Sequence, residues 1–235
     1  MRRFTCKLFA LSISLFASAF GLNAQEFVQS LNNLNFKKHW MIESESPDYQ
    51  VKHLGDTLEI VSPKGLTLWH KEQMKDNVVI EYDACVMDEG RAGDRLSDLN
   101  CFWMASDPKS LNNIKKRMAW RNGVFANSYS LQLYYVGFGG NHNTTTRFRR
   151  YDGDEAGIAD KEKRPVILKE YTDEAHLLKP NKWYHIRLES LNGQVTYTIN
   201  GERLVDFRDV RPLNEGWFGF RTTQSRTRIA NFRYT

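Results

Sequence analysis

The sequence has little cysteine. Of its 235 residues only Cys6, Cys85 and Cys101 carry thiols. No CxxC pair and no Cys/His ligand spacing occurs, which argues against a zinc site. Sustained 3.6-residue hydrophobic periodicity is absent except for a trace over residues 109–121, so the chain does not read as a helical bundle. Apart from its opening, it has no apolar run long enough to span a bilayer. A large charge excess is also missing. The formal charge is +5, and it falls to +2 once Arg2, Arg3 and Lys7 of the first segment are set aside. That balance, in an exported chain, excludes nucleic acid as the natural partner. The most local absence is of carboxylates. From Lys109 to Arg150 there are eight basic residues and no Asp or Glu in 42 positions.

The opening "MRRFTCKLFALSISLFASAFGLNA" has a basic head, an apolar middle and a small-residue end. It reads as a signal peptide over residues 1–24, with cleavage near Ala24–Gln25. The expectation is therefore an exported protein, periplasmic or extracellular, with no membrane association after cleavage. Arg2-Arg3 alone does not make a twin-arginine signal, and Cys6 precedes the apolar run, where a lipidated cysteine is not found. The remaining residues 25–235 are of a length suited to one β-domain with a substantial core. In an oxidising compartment Cys85 and Cys101 either pair or stand as small buried residues on strands.

Strand signals follow in quick succession: "TLEIV", "LTLWH", "VVIEYDACVM", "LNCFWMA", "YSLQLYYV", "TTTRFRRY", "WYHIRLES", "QVTYTIN", "ERLVDF", "GWFGFRT" and "TRIANFRYT". Each is short and rich in β-branched or aromatic residues, and turn residues separate them. "TINGERLVDF" marks an Asn-Gly hairpin. The expected fold is all-β, an antiparallel β-sandwich, with two long loops at 105–128 and 152–176. Loops of that length in a compact domain often carry function.

Period-2 alternation sorts the polar residues. In "TTTRFRRY", Arg147, Arg149 and Tyr151 share one face, with Phe148 directed to the core. In "RLSDLNCFWM", Asp98 and Asn100 lie opposite Leu99, Cys101 and Trp103. In "LQLYYV", the reading assigns Leu131, Leu133 and Tyr135 to the core and leaves Gln132 and Tyr134 opposite. One polar surface then gathers Asp98, Asn100, Gln132, Tyr134, Arg147, Arg149 and Tyr151. The connecting "GFGGNHN" adds Asn141, His142 and Asn143 and lets backbone approach a ligand. Such a surface suits a charged sugar, because guanidinium forks match carboxylate or sulfate.

The segment from "LLKPNKWYHIRLES" to "IANFRY", with "KGLTLWHKEQMKDNVVIEYDACV", resembles the concanavalin A-like lectin/glucanase jelly roll. "DRLSDLNCFWMASDP" and "YYVGFGGNHNTTTRFRRY" resemble an uncharacterised family of secreted bacterial domains that accompany polysaccharide-degrading enzymes. The resemblance implies a glycan context, and with the arginine-bearing face the expected partner is an anionic polysaccharide or oligosaccharide. It also implies a polysaccharide lyase as first expectation, cleaving a uronic-acid glycan by β-elimination. Arg147, Arg149, Asn100 and Asn141 would neutralise the sugar carboxylate, and His142 or Tyr134 would take the proton. Tyr134 or Tyr151 would protonate the leaving oxygen. Asp98, Gln132 and Asn143 would bind hydroxyls.

Two alternatives stand beside it. A glycoside hydrolase would use Glu81 and Asp83 of "EYDAC", where Cys85 replaces the third acid of the superfamily pattern. A non-catalytic glycan-binding module would use Trp69, Trp103 or Trp120 as platforms. No cofactor is expected, and no metal ligands are assigned. A structural calcium ion, common in the superfamily, is admitted by the resemblance, although "DGDEAGIAD" does not meet the calcium-loop spacing.

Overall fold

The computed structural model describes residues 27–28, 31 and 33–235. The signal peptide expected over residues 1–24 lies outside the described residues. In chain order the strands are β1 (Phe27–Val28), β2 (Trp40–Ser44), β3 (Gln50–Leu54), β4 (Thr57–His70), β5 (Met74–Lys75), β6 (Val78–Met87) and β7 (Leu99–Ser106). They continue as β8 (Gln132–Gly139), β9 (Thr145–Asp152), β10 (Ile167–Tyr171), β11 (Trp183–Leu191), β12 (Gln194–Ile199), β13 (Glu202–Arg208) and β14 (Glu215–Tyr234). All pairings are antiparallel. The fold is the all-β jelly-roll sandwich.

One hydrogen-bonded path runs β10-β9-β8-β7-β14-β6-β11-β12-β13. The 20-residue β14 is its pivot. Its first half pairs with β7 and its second with β6, while β4 runs along its other edge. The sheet curls until its two ends meet: Tyr171 Oη donates to the Leu204 carbonyl at 2.8 Å, and the Phe148 and Phe207 rings lie 5.5 Å apart. The Asn-Gly turns form as their sequences dictate. Asn200 and Gly201 join β12 to β13, Asn192 and Gly193 join β11 to β12, and all four have positive φ.

The main core lies inside the curl. Val78, Ile80, Tyr82, Ala84 and Val86 of β6 face Tyr134, Val136 and Phe138 of β8, with Phe218, Phe220 and Phe232 of β14 between the layers. A second apolar cluster sits on the outer face of β4, β14, β7, β8 and β9, comprising Trp69, Phe102, Leu133, Tyr135, Tyr151 and Trp217. The segment 107–131 covers it with Ile114, Tyr129 and Leu131. That segment, expected as a long loop, is built of short helical turns, among them Ile114–Arg117, Met118–Arg121 and Phe125–Ser130. Buried charge anchors it. Arg121, fully enclosed, donates to Glu43 Oε2 from Nη2 at 3.0 Å and to Asp107 Oδ2 from Nη1 at 3.2 Å. Removing one partner of such a buried set typically costs about 3–5 kcal/mol. The second expected loop, 152–176, is partly strand: β10 pairs with β9 at the sheet edge.

Cys85 and Cys101 are free, buried thiols. Burial pushes them up to about 11 and about 12 respectively.

Candidate functional site

The outer face that carries the second cluster is only half covered. Beyond Tyr129 it opens into a hollow of 400 Å³. Register explains its composition. Arg147 on β9, Gly137 on β8, Asn100 on β7 and Arg221 on β14 are cross-strand neighbours in one row. The adjacent row is Arg149, Tyr135, Phe102 and Gly219. Strands lie about 4.8 Å apart, so the side chains of these rows converge on a shallow floor. Asp98, Asn141, Thr145, Thr223, Glu45 and Arg164 complete the wall.

Two glycines make the floor. A Cβ at Gly137 would fall on the Tyr135 hydroxyl, so the absence of a side chain lets that ring lie along β8. A Cβ at Gly65 would collide with Arg221 Nη2 and the Gly123 carbonyl. Arg221 therefore reaches across β4 and donates to Gly123 O at 2.6 Å and to Thr67 Oγ1 at 3.4 Å. It is 4 % exposed, and among the described residues no carboxylate pairs with it. Burial lowers its pKa from the ordinary guanidinium value, with Glu43, Tyr135 and Asp98 opposing. Arg149 has no ion pair among the described residues, and its buried Nε finds no partner. Asn100 is buried. Its Nδ2 donates to Asp98 Oδ1 at 3.3 Å, while its Oδ1 is unpartnered. Buried polar atoms are nearly always hydrogen-bonded, so these orphans, converging on one hollow, mark where a polar ligand would dock. Arg147 is partly committed, donating to Glu170 Oε1 at 2.5 Å.

Tyr135 holds its proton well above the ordinary phenol range. Burial is the main cause and the nearby Asp98 charge adds to it, against the opposing Arg149 and Arg221. Asp98 accepts from Arg95 Nη2 at 2.9 Å. Arg95 also donates to the Thr223 carbonyl at 2.9 Å and contacts His142 Nδ1 at 3.2 Å, tying the turn 140–143 to β14. In that turn Asn141, His142 and Asn143 all have positive φ, a left-handed run that asparagine tolerates better than most residues.

The structure thus brings together Asp98, Asn100, Asn141, Arg147 and Arg149 of the residues read from the sequence. His142 is at the rim, against Arg95 and outside the lining. Asn143 is occupied structurally, bonding the backbone of Leu178 through both amide atoms at 2.8 and 3.0 Å. Tyr134 is a correction. It is buried in the main core between Trp103 and Phe148, and its hydroxyl donates to Asp209 Oδ2 at 2.7 Å. Gln132 shares its parity on β8 and pairs with Asp152 at the strand's far end, away from the hollow. Both faces of β8 are buried, so alternation of apolar and polar residues could not tell them apart. The face that meets the hollow carries Tyr135 and Gly137. Tyr151 has the expected parity but is fully buried between Tyr129 and Tyr135, under the covering segment.

Glu81 and Asp83 lie on another face and are fully engaged. Glu81 binds Arg187 at 3.0 Å and Arg233 at 2.9 Å, and Asp83 binds His185 at 2.7 Å and Asn231 at 2.6 Å. Burial raises the Glu81 pKa, but the hydrogen bonds from Arg233 and Arg187 outweigh it and hold the carboxyl below its usual value. Trp69 and Trp103 are core residues at 1 % exposure, while Trp120 is exposed beneath the Arg117 guanidinium at 4.1 Å. No cluster of His, Cys, Asp or Glu among the described residues is arranged to hold a metal ion, and no described helix is long and apolar enough to cross a membrane.

The strands that build this hollow fall within a family match. The model described as Domain of unknown function (DUF6250) matches residues 60–232. The chain belongs to this family. No curated protein matches the sequence. Among solved structures, this DUF6250 chain is similar to a Bacillus subtilis protein of unknown function with a galectin-like fold. The two share 16 % identity at a TM-score of 0.69, over 88 % of this chain and 94 % of that one. It is also similar to the carbohydrate binding module CBM66 from Bacillus subtilis, at 13 % identity and a TM-score of 0.54, over 84 % and 96 %. A prokaryotic β-1,3-1,4-glucanase from a mouse hindgut metagenome matches at 7 % and 0.54, over 89 % and 97 %. These likenesses establish the fold of the DUF6250 chain as a galectin-like jelly roll.

Among the contributors to the DUF6250 hollow that escaped the sequence reading are Tyr135, Arg164, Glu45 and Arg221. Arg221 stands in "GFRT", which reads as an ordinary strand with a solvated arginine. Gly65 and Gly123, which make room for it, are far from it in sequence. Arg164 comes from the segment after β9 and reaches the hollow past Tyr129, its guanidinium 6.0 Å from that ring.

Proposed function

We propose that the protein binds an anionic glycan, with the carboxylate or sulfate of one sugar residue held in the arginine hollow. The observation that supports this best is the set of uncompensated donors. Among the described residues Arg221 and Arg149 have no ion pair with a carboxylate, and they stand beside Asn100 with its unpartnered Oδ1. A ligand carboxylate would supply the missing counter-charge, and a sugar hydroxyl would donate to Asn100. Charge-assisted bonds of this kind contribute about 1.5–3 kcal/mol each. That a carbohydrate binding module and a β-1,3-1,4-glucanase have a like fold agrees with a carbohydrate ligand. Titration calorimetry with uronic-acid and neutral oligosaccharides of equal length tests the proposal. Binding of the acidic series, abolished by Arg149→Ala, is expected. Equal affinity for the neutral series would refute it.

A second reading, β-elimination, is favoured by the position of Tyr135. Its hydroxyl lies on the floor among Arg149, Arg221 and Asp98. With the sugar carboxylate neutralised by the arginines, the proton on the adjacent carbon becomes acidic. Tyr135, as phenolate, would take that proton as the carbon–carbon double bond forms and the glycosidic C–O bond breaks. It would then return the proton to the leaving oxygen. Because the phenol pKa is raised, turnover would increase with pH. The test is growth of the ultraviolet absorbance of an unsaturated uronic residue. Its absence with every acidic glycan bound would leave a binding protein. Export to the periplasm or medium is part of the same proposal and rests on the first 24 residues.

A further inference from the structure

The arginine hollow is flanked on both sides. Glu45 lines it and also lines a second hollow of 430 Å³ between β2 and the turn Met118–Arg121. Arg164 lines it and also lines a third, of 630 Å³, beside β13. The central hollow thus shares one lining side chain with each of the other two, and three adjoining hollows suit a polymer rather than a single sugar.

Charge is distributed unevenly along this groove. The central hollow carries Arg147, Arg149, Arg164 and Arg221 against two carboxylates. No Lys or Arg is among the residues that line the Glu45 side. Its charged groups are Glu43 and Glu45, and its other walls offer Tyr49, Asn122 and serine hydroxyls. Glu43 is neutralised by Arg121, whereas among the described residues Glu45 has an ion pair only with the mostly solvated Lys64, at 4.0 Å, and feels Arg221 without touching it. On the Arg164 side acids and bases are interleaved and some are paired, Arg150 with Asp209 at 2.7 Å and Arg211 with Asp152 at 3.8 Å. A polymer charged on every residue would place a carboxylate against Glu45. Like charges brought together in a binding site cost several kcal/mol. A neutral sugar there would instead meet an aromatic ring, an amide and a hydrogen-bond acceptor.

We infer that the ligand is a heteropolysaccharide in which charged and neutral residues alternate, the charged one seated at Arg149 and Arg221 and its neutral neighbour beside Glu45. This rests on the anionic-glycan reading given above and narrows it. The discrimination is repulsive as much as attractive, which is how specificity between similar ligands is often set.

The experiment compares two ladders on the intact protein by titration calorimetry: oligogalacturonates, charged on every residue, and hyaluronan oligosaccharides, in which a uronic acid alternates with a neutral sugar. The alternating ladder is expected to bind at least about tenfold tighter at equal length. Its affinity should rise from disaccharide to hexasaccharide as the flanking hollows fill. Glu45→Gln, which keeps the acceptor for the Gly65 amide at 3.3 Å, is expected to shrink the preference by strengthening oligogalacturonate binding. Equal or tighter binding of oligogalacturonates by the unaltered protein overturns the inference and leaves the anion site standing. A preference untouched by Glu45→Gln overturns the role of that carboxylate. Failure of both ladders to bind, in a protein whose thermal unfolding is normal, overturns the anionic-glycan reading as well.

Discussion

Arg221→Met separates a ligand-binding role from a structural one by the sign of its effect on stability. The side chain is 4 % exposed and has no carboxylate partner among the described residues. Leaving a cation in that position costs several kcal/mol in desolvation, whereas an apolar side chain of similar volume does not pay that penalty. Against the gain stands the bond to the Gly123 carbonyl at 2.6 Å, whose loss leaves a buried acceptor and costs about 1–2 kcal/mol. The balance is a net stabilisation of about 1 kcal/mol, or a Tm raised by roughly 2–4 °C for a domain of this size. Binding moves the other way. Loss of one charge-assisted contact of about 1.5–3 kcal/mol weakens an acidic oligosaccharide roughly 10- to 150-fold. The assays are thermal unfolding and calorimetry on the same preparations, with Arg221→Lys as a control that keeps the charge but loses the fork. A Tm lowered by more than about 4 °C together with unchanged affinity would show that the arginine serves the fold, and the argument from uncompensated charge would fail.

Further outcomes follow from the same structure. Tyr135→Phe is expected to preserve acidic-glycan binding within about threefold while removing any β-elimination, read by ultraviolet absorbance; retained turnover would dismiss Tyr135 as the proton carrier. Glu43→Ala removes the acceptor that ties Arg121 and Trp69 to β2 and should lower unfolding free energy by about 3–5 kcal/mol, measured by urea denaturation. His70 is held down to about 4 by burial, with Glu72 opposing. Between pH 6.5 and 4 the unfolded chain therefore binds more protons, and stability should fall as pH drops through that window, by up to about 3 kcal/mol. His70→Phe should flatten that part of the pH profile. Cys85 and Cys101 should resist a thiol reagent until the protein unfolds; rapid labelling of the native state would contradict their burial.

Much of the strand pattern was legible because period-2 runs and Asn-Gly turns are local signals. What escaped has physical causes. "SPKG" reads as a break between two strands, yet β4 continues through Pro63. The missing proline donor falls opposite the irregularity at Gln224 of β14, where the ladder forgoes a bond. β10 is exposed on nearly every residue, so burial imposed no alternation on it. Of the site, Arg147 and Arg149 were readable since they flank the buried Phe148 in alternation on β9, whereas Tyr151 on their face is buried by the covering segment. Tyr134 was misassigned because the segment 107–131 buries the second face of β8, a fact of tertiary structure. Arg221 depended on two distant glycines and had no local signature.

The position of β14 bears on how the molecule is made. It follows every other strand in sequence, yet β4, β6 and β7 all require it as a neighbour. During synthesis the hairpins β11–β12–β13 and β7–β8–β9 can form as they emerge, but the two halves have no seam until the last strand arrives. Folding is thus expected to wait for β14, with long-range pairing as its slow step. Until then the partners of β14 present unpaired edges, the chain's interval of greatest exposure to aggregation.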